Sequence, residues 1–206
     1  RITRGWVDTR SGGNVNGGNV TVTLSGEHDF KIRFYGVVTR QSGYEYQMDI
    51  TGSDRGIGFA LTQELAARGW KVIATCRDPA HAQPLREYAA THPLVVIEAL
   101  DVADNAAIDA LAGKYRSQAL DALVNNAGIT GDFAAQRLNA LDPEAFQQVM
   151  RVNAYAPLRM ARAFLEQVSA SRQKKIVAIS SGSGSLFQAP QLPDSYYYNI
   201  SKAALN

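Results

Sequence analysis

Hydrophobic and polar positions follow two different patterns along the chain, and the change falls near residue 50. Before that point, apolar residues alternate with polar ones in three stretches, VTVTL at 20–24, FKIRF at 30–34 and YEYQMDI at 44–50. A period of two predicts half-buried β-strands. The stretches SGGNVNGGN, SGEHD and TRQSG around them are typical of loops and turns. Residues 1–49 are therefore predicted to form a β-rich antiparallel extension with one face in water.

From residue 51 onward, helical periodicity alternates with short apolar runs. Helices are predicted at GIGFALTQELAARGW, AQPLREYAA, NAAIDALAGKY and the long stretch DPEAFQQVMRVNAYAPLRMARAFLEQVSA. In the long stretch, Asp142 can cap the N-terminus, Pro143 suits the first turn, and Pro157 is expected to bend the helix or mark a boundary. The strands KVIAT, LVVIEAL, LDALV and KKIVAIS are apolar on both faces, as parallel strands covered by helices must be. Residues 50–206 are therefore predicted to form a doubly wound parallel α/β sheet.

The composition is that of an ordinary globular protein and argues against several kinds of function. The chain has 206 residues, 46% hydrophobic and 19% charged, with a net charge of +2. Such a small charge, without a basic run, gives no reason to expect a nucleic-acid partner, and no apolar run is long enough for a membrane span. The three histidines do not stand at metal-ligand spacing, so no metal site is predicted. The single cysteine, Cys76, excludes an internal disulfide and suits a cytoplasmic setting.

The first chemical signal is the glycine-rich segment TGSDRGIG, at residues 51–58, where a predicted strand passes into a predicted helix. Glycines let a backbone approach a pyrophosphate closely, and a helix N-terminus stabilises the negative charge. The spacing of Gly52, Gly56 and Gly58 departs from the common G-x-G-x-x-G. A plain glycine-rich turn is the alternative to cofactor binding.

Two further signals lie later in the chain. The segment NNAG, Asn125 to Gly128, follows a predicted strand, and open α/β sheets bind ligands at the carboxyl ends of their strands. The alternative is an ordinary turn. Tyr198 and Lys202 stand four residues apart, so on a helix they share one face, and a nearby ammonium favours the tyrosinate needed for proton transfer. A packed tyrosine beside a solvated lysine is the alternative, and Tyr196 and Tyr197 cannot share that face.

Together these motifs resemble one family. From Thr51 to Asn206 the chain resembles the short-chain dehydrogenases/reductases, in which the glycine motif, NNAG, an asparagine as in RVNAYAP, a serine as in AISSGSGS and a tyrosine–lysine pair as in YNISK occur in this order. The SSGSGS and SKAALN segments are most similar to the carbonyl-reductase branch of the sniffer and C-signal proteins. The resemblance implies NAD(P)H-dependent reduction of a carbonyl to an alcohol, or the reverse, on a small-molecule substrate. It also implies a Rossmann-like fold and allows a homo-oligomer.

The resemblance assigns roles to four side chains. Tyr198 would be the catalytic acid/base, and Lys202 would favour its ionisation and hold the nicotinamide ribose. Ser181 would hydrogen-bond the substrate carbonyl oxygen, and Asn153 would hold a water that links Lys202 to solvent. Ser185 lies 13 residues before Tyr198, the spacing of many family members, whereas Ser181 lies 17 before it. We choose Ser181 because it directly follows the strand, and GSLFQAPQLPD resembles a lengthened loop.

The expected cofactor is NADP, with NAD as the alternative. The second strand of the parallel sheet ends in ATCRD, and its end reaches the adenosine ribose in this fold. Arg77 can meet a 2′-phosphate there, Arg55 adds a second cation, and Asp78 keeps NAD open. The resemblance places the cofactor contacts at Gly52, Ser53, Arg55, Gly56, Ile57, Gly58, Arg77, Asp101, Val102, Asn125, Ala127, Gly128, Tyr198 and Lys202, with Asp101 and Val102 at the adenine.

Three features depart from the family pattern. The strand before the glycine motif carries Asp49, and an unpaired carboxylate in a buried central strand would be costly. Family members continue beyond SKAALN, and residues 1–49 do not resemble the family. We therefore expect a fragment or chimera with a foreign segment joined near residue 50, or an accessory β module. The functional alternatives are a non-catalytic NAD(P)-binding module and a chain with no activity of its own.

Overall fold

A computed structural model of the chain describes residues 20–24, 30–34, 47–185 and 195–206. The strands are β1 Val20–Leu24, β2 Phe30–Phe34, β3 Gln47–Thr51, β4 Lys71–Cys76, β5 Val95–Ala99, β6 Ala122–Asn125 and β7 Lys175–Ala178. The helices are α1 Gly56–Ala67, α2 Gln83–Thr91, α3 Asn105–Lys114, α4 Pro143–Met150, α5 Ala156–Ala163, α6 Leu165–Ala170 and α7 Tyr196–Leu205. From β4 onward, each strand and helix predicted from the sequence is confirmed.

The parallel sheet has the strand order β5-β4-β3-β6-β7, and all its pairs are parallel. The chain builds outward from β3 to one edge and then crosses to the other side of β3 to add β6 and β7. The strand order therefore reverses between β3 and β6, and the carboxyl ends of these two strands frame the crevice where open α/β sheets bind ligands. This arrangement confirms the predicted doubly wound, Rossmann-like fold.

The prediction for residues 44–50 as an antiparallel strand with one wet face is wrong at its second half. Residues 47–51 form β3, the central strand of the parallel sheet, and all five side chains are buried. The sheet thus begins before the boundary predicted at residue 50. The alternation of Met48 and Ile50 with polar residues looks like a half-exposed strand, but helices cover both faces of β3, so Asp49 is buried as well.

The remaining predictions for the N-terminal extension are met only in part by the described residues. Strands β1 and β2 pair antiparallel, with Val22 opposite Ile32, as the period-two pattern predicts. The turn and loop predictions at residues 11–19, 25–29 and 39–43 lie outside the described residues, as do residues 186–194 of the lengthened loop predicted at 184–194. Separation of residues 1–49 into a distinct unit therefore stays a prediction.

Two apolar layers cover the faces of the parallel sheet. On one face, Met48 and Ile50 of β3 pack in a cluster with Leu61 and Leu65 of α1 and with Leu85 of α2. On the other face, the cluster comprises residues of β4, α3, β6, α5 and α6, among them Ile73, Ile108, Leu111, Leu123, Met160 and Val168. Burial on both faces explains why β4 and β6 are nearly continuous apolar runs.

The long helical stretch is interrupted before Pro157. Asp142 caps α4 through its side chain, which accepts from the N–H groups of Glu144 and Ala145, and Pro143 occupies the first turn, as predicted. A wider π-helical turn then spans Arg151–Tyr155, and α5 begins at Ala156. Pro157 has no N–H to donate to the carbonyl four residues earlier, which accounts for the boundary. This turn contains Asn153, one of the predicted site residues.

The described strands end at β7 on one side of the sheet. Its only strand partner in that part of the chain is β6, and Ile176 is 42% exposed. The strand therefore has an unpaired edge within the described residues. None of the helices among the described residues has the length and apolar character needed to cross a membrane.

Candidate active site

A single threonine joins the glycine motif to NNAG at the carboxyl edge of the sheet. The Thr51 hydroxyl oxygen accepts from the backbone N–H groups of Asn126 and Ala127, each at 2.9 Å, and donates to the carbonyl oxygen of Val124 at 3.4 Å. The Asn126 side-chain amide donates to the carbonyl oxygens of Thr51 at 2.9 Å and Gly52 at 3.1 Å. Hydrogen bonds thus hold together two motifs that are distant in sequence.

The glycines of the first motif are required by close approach and by backbone conformation. Gly52 and Gly56 have φ of 66° and 56°, in the region that favours glycine. A Cβ on Gly58 would lie 2.1 Å from the Gly52 carbonyl oxygen and 2.6 Å from the amide nitrogen of Asn126. A Cβ on Gly52 would lie 3.1 Å from the Cα of Ala127. Close packing against NNAG therefore requires glycine at Gly52 and Gly58, and the backbone conformation favours glycine at Gly52 and Gly56.

Two other predicted cofactor contacts in this turn have structural roles. The Ser53 hydroxyl is fully buried and donates to the Ile50 carbonyl oxygen at 2.7 Å, and its N–H donates to the Thr75 carbonyl oxygen. Ser53 therefore shapes the turn from inside. Ile57 is half-buried and packs against the apolar cluster on the α1 face of the sheet.

The charged residues near the end of β4 and in the glycine turn differ in whether they already have a partner. The exposed Arg77 forms no ion pair within the described part of the chain, whereas the exposed Arg55 pairs with its neighbour Asp54. Asp78 accepts from the N–H groups of Ala80 and His81 and contacts the His81 ring nitrogen Nδ1 at 2.6 Å. The hydrogen bond from the His81 side chain holds the pKa of Asp78 below its usual value. Asp78 is therefore already engaged in its own turn, and Arg77 is not.

The predicted adenine contacts follow β5. The exposed Asp101 accepts from the N–H of Ala103 at 2.8 Å, and the Val102 side chain is buried in the apolar cluster on the α3 face. Within the described residues, neither Asp101 nor Val102 forms a hydrogen bond to the glycine motif. Asn125 is buried at the end of β6, and its carbonyl oxygen accepts from the Ile179 N–H.

Tyr198 and Lys202 lie on one face of α7, as their spacing predicts. The Lys202 ammonium is 5.6 Å from the centre of the Tyr198 ring. The Tyr198 hydroxyl makes no hydrogen bond to the described residues, and its side chain is half-buried. Tyr197 is buried edge-to-face against Phe146, and Tyr196 is exposed. Only Tyr198 of the three consecutive tyrosines therefore stands beside the lysine.

Lys202 is a buried cation that lies beside Gly128 of NNAG. It is 4% exposed, and Nζ donates to the Ile179 carbonyl oxygen at 2.9 Å. Burial lowers the pKa of Lys202 to about 8, because a low-dielectric site disfavours the charged form. A Cβ placed on Gly128 would lie 3.6 Å from Nζ and 3.4 Å from Asn153 Oδ1. Glycine at this position leaves both polar atoms uncovered by a side chain.

Asn153 uses its side chain to connect three parts of the site. Its Oδ1 accepts from the Ile129 N–H at 2.9 Å, and its Nδ2 donates to the Ile129 carbonyl oxygen at 2.8 Å and to the Ser201 hydroxyl at 2.9 Å. The Ser201 hydroxyl in turn donates to the Tyr198 carbonyl oxygen at 2.7 Å. The π-helical turn thereby holds α7 against the segment after NNAG.

The two candidate serines lie on either side of a short turn after β7. The half-buried Ser181 caps this turn, because its hydroxyl oxygen accepts from the Ser183 N–H at 3.2 Å. The hydroxyl hydrogen of Ser181 has no acceptor among the described residues. Gly184, between the two serines, packs so closely on α7 that a Cβ would lie 2.5 Å from the Lys202 carbonyl carbon. Ser185 ends the turn and is also half-buried.

Sequence reasoning missed several residues that build the site. Thr51, Asn126 and Ser201 lie inside the quoted motifs, so their positions were marked, but the hydrogen bonds they form were not predictable from spacing. Gln136 is fully buried, and its side chain bonds both to α7 and to the loop after NNAG. Nothing in the local sequence marks Gln136, because its partners lie in other segments.

Comparisons with known proteins find relatives of the α/β part of the chain. The sequence profile of the short chain dehydrogenase family matches residues 48–206. The (+)-neomenthol dehydrogenase of Arabidopsis thaliana is 34% identical over 160 residues, which cover 66% of this chain and 54% of that enzyme. The chain spans about half the length of the curated relatives it matches.

Solved structures similar to this chain include carbonyl reductases. The NADPH-bound carbonyl reductase from chicken fatty liver is 35% identical, with a TM-score of 0.68 over 78% of this chain and 70% of that one. The carbonyl reductase Sniffer of D. melanogaster is 27% identical, with a TM-score of 0.67 over 79% of this chain and 71% of that one.

Proposed function

We propose that this chain, which belongs to the short-chain dehydrogenase family, reduces the carbonyl of a small ketone or aldehyde to an alcohol, or catalyses the reverse. One observation carries the proposal, namely the meeting of Tyr198, Lys202 and Asn153 beside NNAG at the carboxyl edge of the sheet. A phenol next to a buried ammonium is a suitable group to give a proton to a substrate oxygen or to take one from it.

The proposed cofactor is NADPH, and the glycine turn fits its pyrophosphate. A Cβ on Gly56 would meet nothing within 4 Å, so the space beside the turn is open, and the N-terminus of α1 favours an anion there. Gly52 and Gly58 set the backbone of the turn. Asn125, Ala127 and Gly128 would line the other side of the cleft. When bound, NADPH supplies a hydride to the substrate carbon.

Charge favours NADPH over NADH. Arg77 is exposed and without an ion pair in the described chain, and its planar guanidinium suits bidentate binding of a 2′-phosphate. Asp78, the residue that could bind the ribose of NADH, is engaged with His81 and its own turn. Arg55 would be a second cation for the phosphate, after release from Asp54. Asp101 and Val102 would contact the adenine, with Val102 contributing its backbone because its side chain is buried.

The hydrogen bonds of the site support the proposed proton-transfer roles. The Tyr198 hydroxyl is open to a substrate oxygen, and the Lys202 charge stabilises the tyrosinate that remains once the proton has left. The Ser181 hydroxyl hydrogen is available to the substrate carbonyl oxygen, since Ser181 uses only its oxygen in the turn. Asn153 fixes α7 through Ser201, and we assign it the further role of holding a water beside Lys202.

The test is an assay of residues 1–206 with NADPH and a series of ketones and aldehydes. Tyr198→Phe should lower kcat by about 100-fold or more while the Kd for NADPH changes less than about twofold. Tyr196→Phe is the matched control, because it removes an exposed hydroxyl from the same helix. Ser181→Ala should be severe and Ser185→Ala mild, and the opposite order would reassign the serine.

The outcomes separate the proposal from its alternatives. NADPH binding without turnover of any carbonyl would favour a non-catalytic binding module. Failure to bind NADPH would favour a chain with no activity of its own. A Tyr198→Phe variant as active as the parent would overturn the assigned mechanism.

We also propose a cytoplasmic location. Cys76 is buried and free, which fits a reducing compartment. Cell fractionation with an antibody to the chain would check this, and recovery from an extracellular fraction would reject it.

A further inference from the structure

Gln136 is a buried residue that has no role in the proposed function, yet its side chain bonds to both α7 and the loop after NNAG. It ends a 3₁₀ turn, Ala134–Gln136, in the connection between β6 and α4, and its side chain is 0% exposed. Its Oε1 accepts from the backbone N–H of Tyr197 at 2.7 Å. Its Nε2 donates to the carbonyl oxygens of Thr130 at 3.0 Å and Asp132 at 3.2 Å. One amide therefore joins the segment after NNAG to the helix that carries Tyr198.

Gln136 acts as the N-terminal cap of α7. The N–H of Tyr197 belongs to the first turn, where helix donors have no partner within the helix. Ser195 occupies the capping position, but its side chain forms no capping bond, and its hydroxyl contacts Asn199 instead. Tyr197 is buried, so its N–H would be costly to leave unpaired. The cap thus comes from a residue 61 positions away.

The loop determines which end of the amide faces the helix. Because Nε2 is committed to the carbonyl oxygens of Thr130 and Asp132, Oε1 is directed at the Tyr197 N–H. Gly131 lets the loop close around the amide, since it has φ of 77° and a Cβ there would lie 2.8 Å from Val149 Cγ2. The loop carbonyls therefore fix the orientation of the acceptor towards α7.

We propose that Gln136 is a positioning residue for Tyr198: by capping the N–H of Tyr197, it sets the start of α7 and hence the place of the next side chain. The predicted effect on kcat rests on the proposed function, in which Tyr198 is the catalytic acid/base. Gln136 itself touches neither Tyr198 nor Lys202 through a hydrogen bond in the described chain. Its effect on rate is through helix geometry.

The experiment compares three variants of the full chain. Gln136→Leu removes the acceptor and both donors. Gln136→Glu keeps an acceptor towards Tyr197, at a helix N-terminus that favours negative charge, but places it against the two loop carbonyls. Gln167→Leu is the matched control. Gln167 lies in α6, is also buried, and its side-chain amide donates to the carbonyl oxygen of Ala112 in α3 at 2.8 Å, and within the described residues it has no hydrogen bond to α7. Each variant is measured for kcat, NADPH affinity, thermal midpoint and amide hydrogen exchange at Tyr197.

The expected result is that activity and stability follow different orders. Gln136→Leu should lower kcat by about 10- to 100-fold with the Kd for NADPH within about twofold, because a displaced catalytic group slows only the chemical step. Gln136→Glu should recover kcat to within about fivefold of the parent although it is no more stable than Gln136→Leu. Gln167→Leu should lose stability and keep kcat within about twofold. If kcat instead tracks the thermal midpoint across all three variants, the proposal is overturned.

Hydrogen exchange tests the inference independently of turnover. The Tyr197 amide should exchange slowly in the parent, in Gln136→Glu and in Gln167→Leu, and at least about tenfold faster in Gln136→Leu. Equal exchange in Gln136→Glu and Gln136→Leu would overturn the capping role. If the parent shows no turnover, the proposed function fails for this chain, and the exchange result alone then decides the role of Gln136.

Discussion

Asp49→Asn should remove most of the pH dependence of the free energy of unfolding that we expect for the wild-type protein. Asp49 lies in the middle of β3, opposite Ile73 and Leu123, and is 0% exposed. Neither carboxyl oxygen has a hydrogen-bond partner within the described residues. Two titratable groups interact with it electrostatically, Glu98 on β5 and Tyr115 after α3. A carboxylate in this position would be buried without compensation.

The magnitude follows from the pKa of this group. Burial, with a smaller contribution from Glu98, raises the pKa of Asp49 from 3.8 to about 8. The folded protein therefore keeps the proton up to about pH 8, whereas the unfolded chain loses it near pH 4. Between these values the unfolded state binds fewer protons, so the free energy of unfolding falls as pH rises, by about 1.4 kcal/mol per pH unit. Over the whole interval the loss is at most about 6 kcal/mol, a large share of the 5–15 kcal/mol typical of a domain.

The assay is urea unfolding of the wild type and Asp49→Asn at several pH values from 5 to 8. The wild type should lose stability steeply across this range, while Asp49→Asn should change much less and should be the more stable protein at pH 8. Glu166→Gln is the control, since it removes an exposed carboxylate from α6 and should parallel the wild type. Parallel curves for the wild type and Asp49→Asn would refute the reasoning that Asp49 is buried and protonated.

Two further predictions concern the cofactor site. Arg77→Ala should raise the Kd for NADPH by about tenfold or more and leave the Kd for NADH nearly unchanged, because only NADPH carries the 2′-phosphate. Calorimetric titration with both cofactors checks this, and an equal loss of affinity for NADPH and NADH would reject the assignment. Gly58→Ala should destabilise the protein by about 1–3 kcal/mol and abolish NADPH binding, since the added methyl would meet the Gly52 carbonyl oxygen at 2.1 Å. Gly113→Ala, in α3 with nothing near its Cβ, should instead stabilise by up to about 1 kcal/mol, and similar unfolding curves for the two variants would contradict the prediction.

Features that depend on neighbours along the chain could be predicted from the amino-acid sequence. Helical periodicity and apolar runs placed the elements from β4 onward, because each is defined by side chains that repeat every two or about 3.6 residues. The cap of α4 needed only Asp142 and the two N–H groups after it. The shared face of Tyr198 and Lys202 followed from their spacing of four on a helix.

Features that depend on residues far apart in the chain could not be predicted from local sequence and are visible only in the folded protein. The alternation in β3 is equally compatible with a strand that has one face in water, and it became a central strand because α1 and α3 supply apolar layers on opposite faces. The bonds from Asn126 to Thr51 join residues 75 positions apart, and the cap from Gln136 to Tyr197 spans 61. No local pattern encodes such pairs, because a polar side chain acquires its partner only when packing removes it from water and leaves one hydrogen-bonding group within reach.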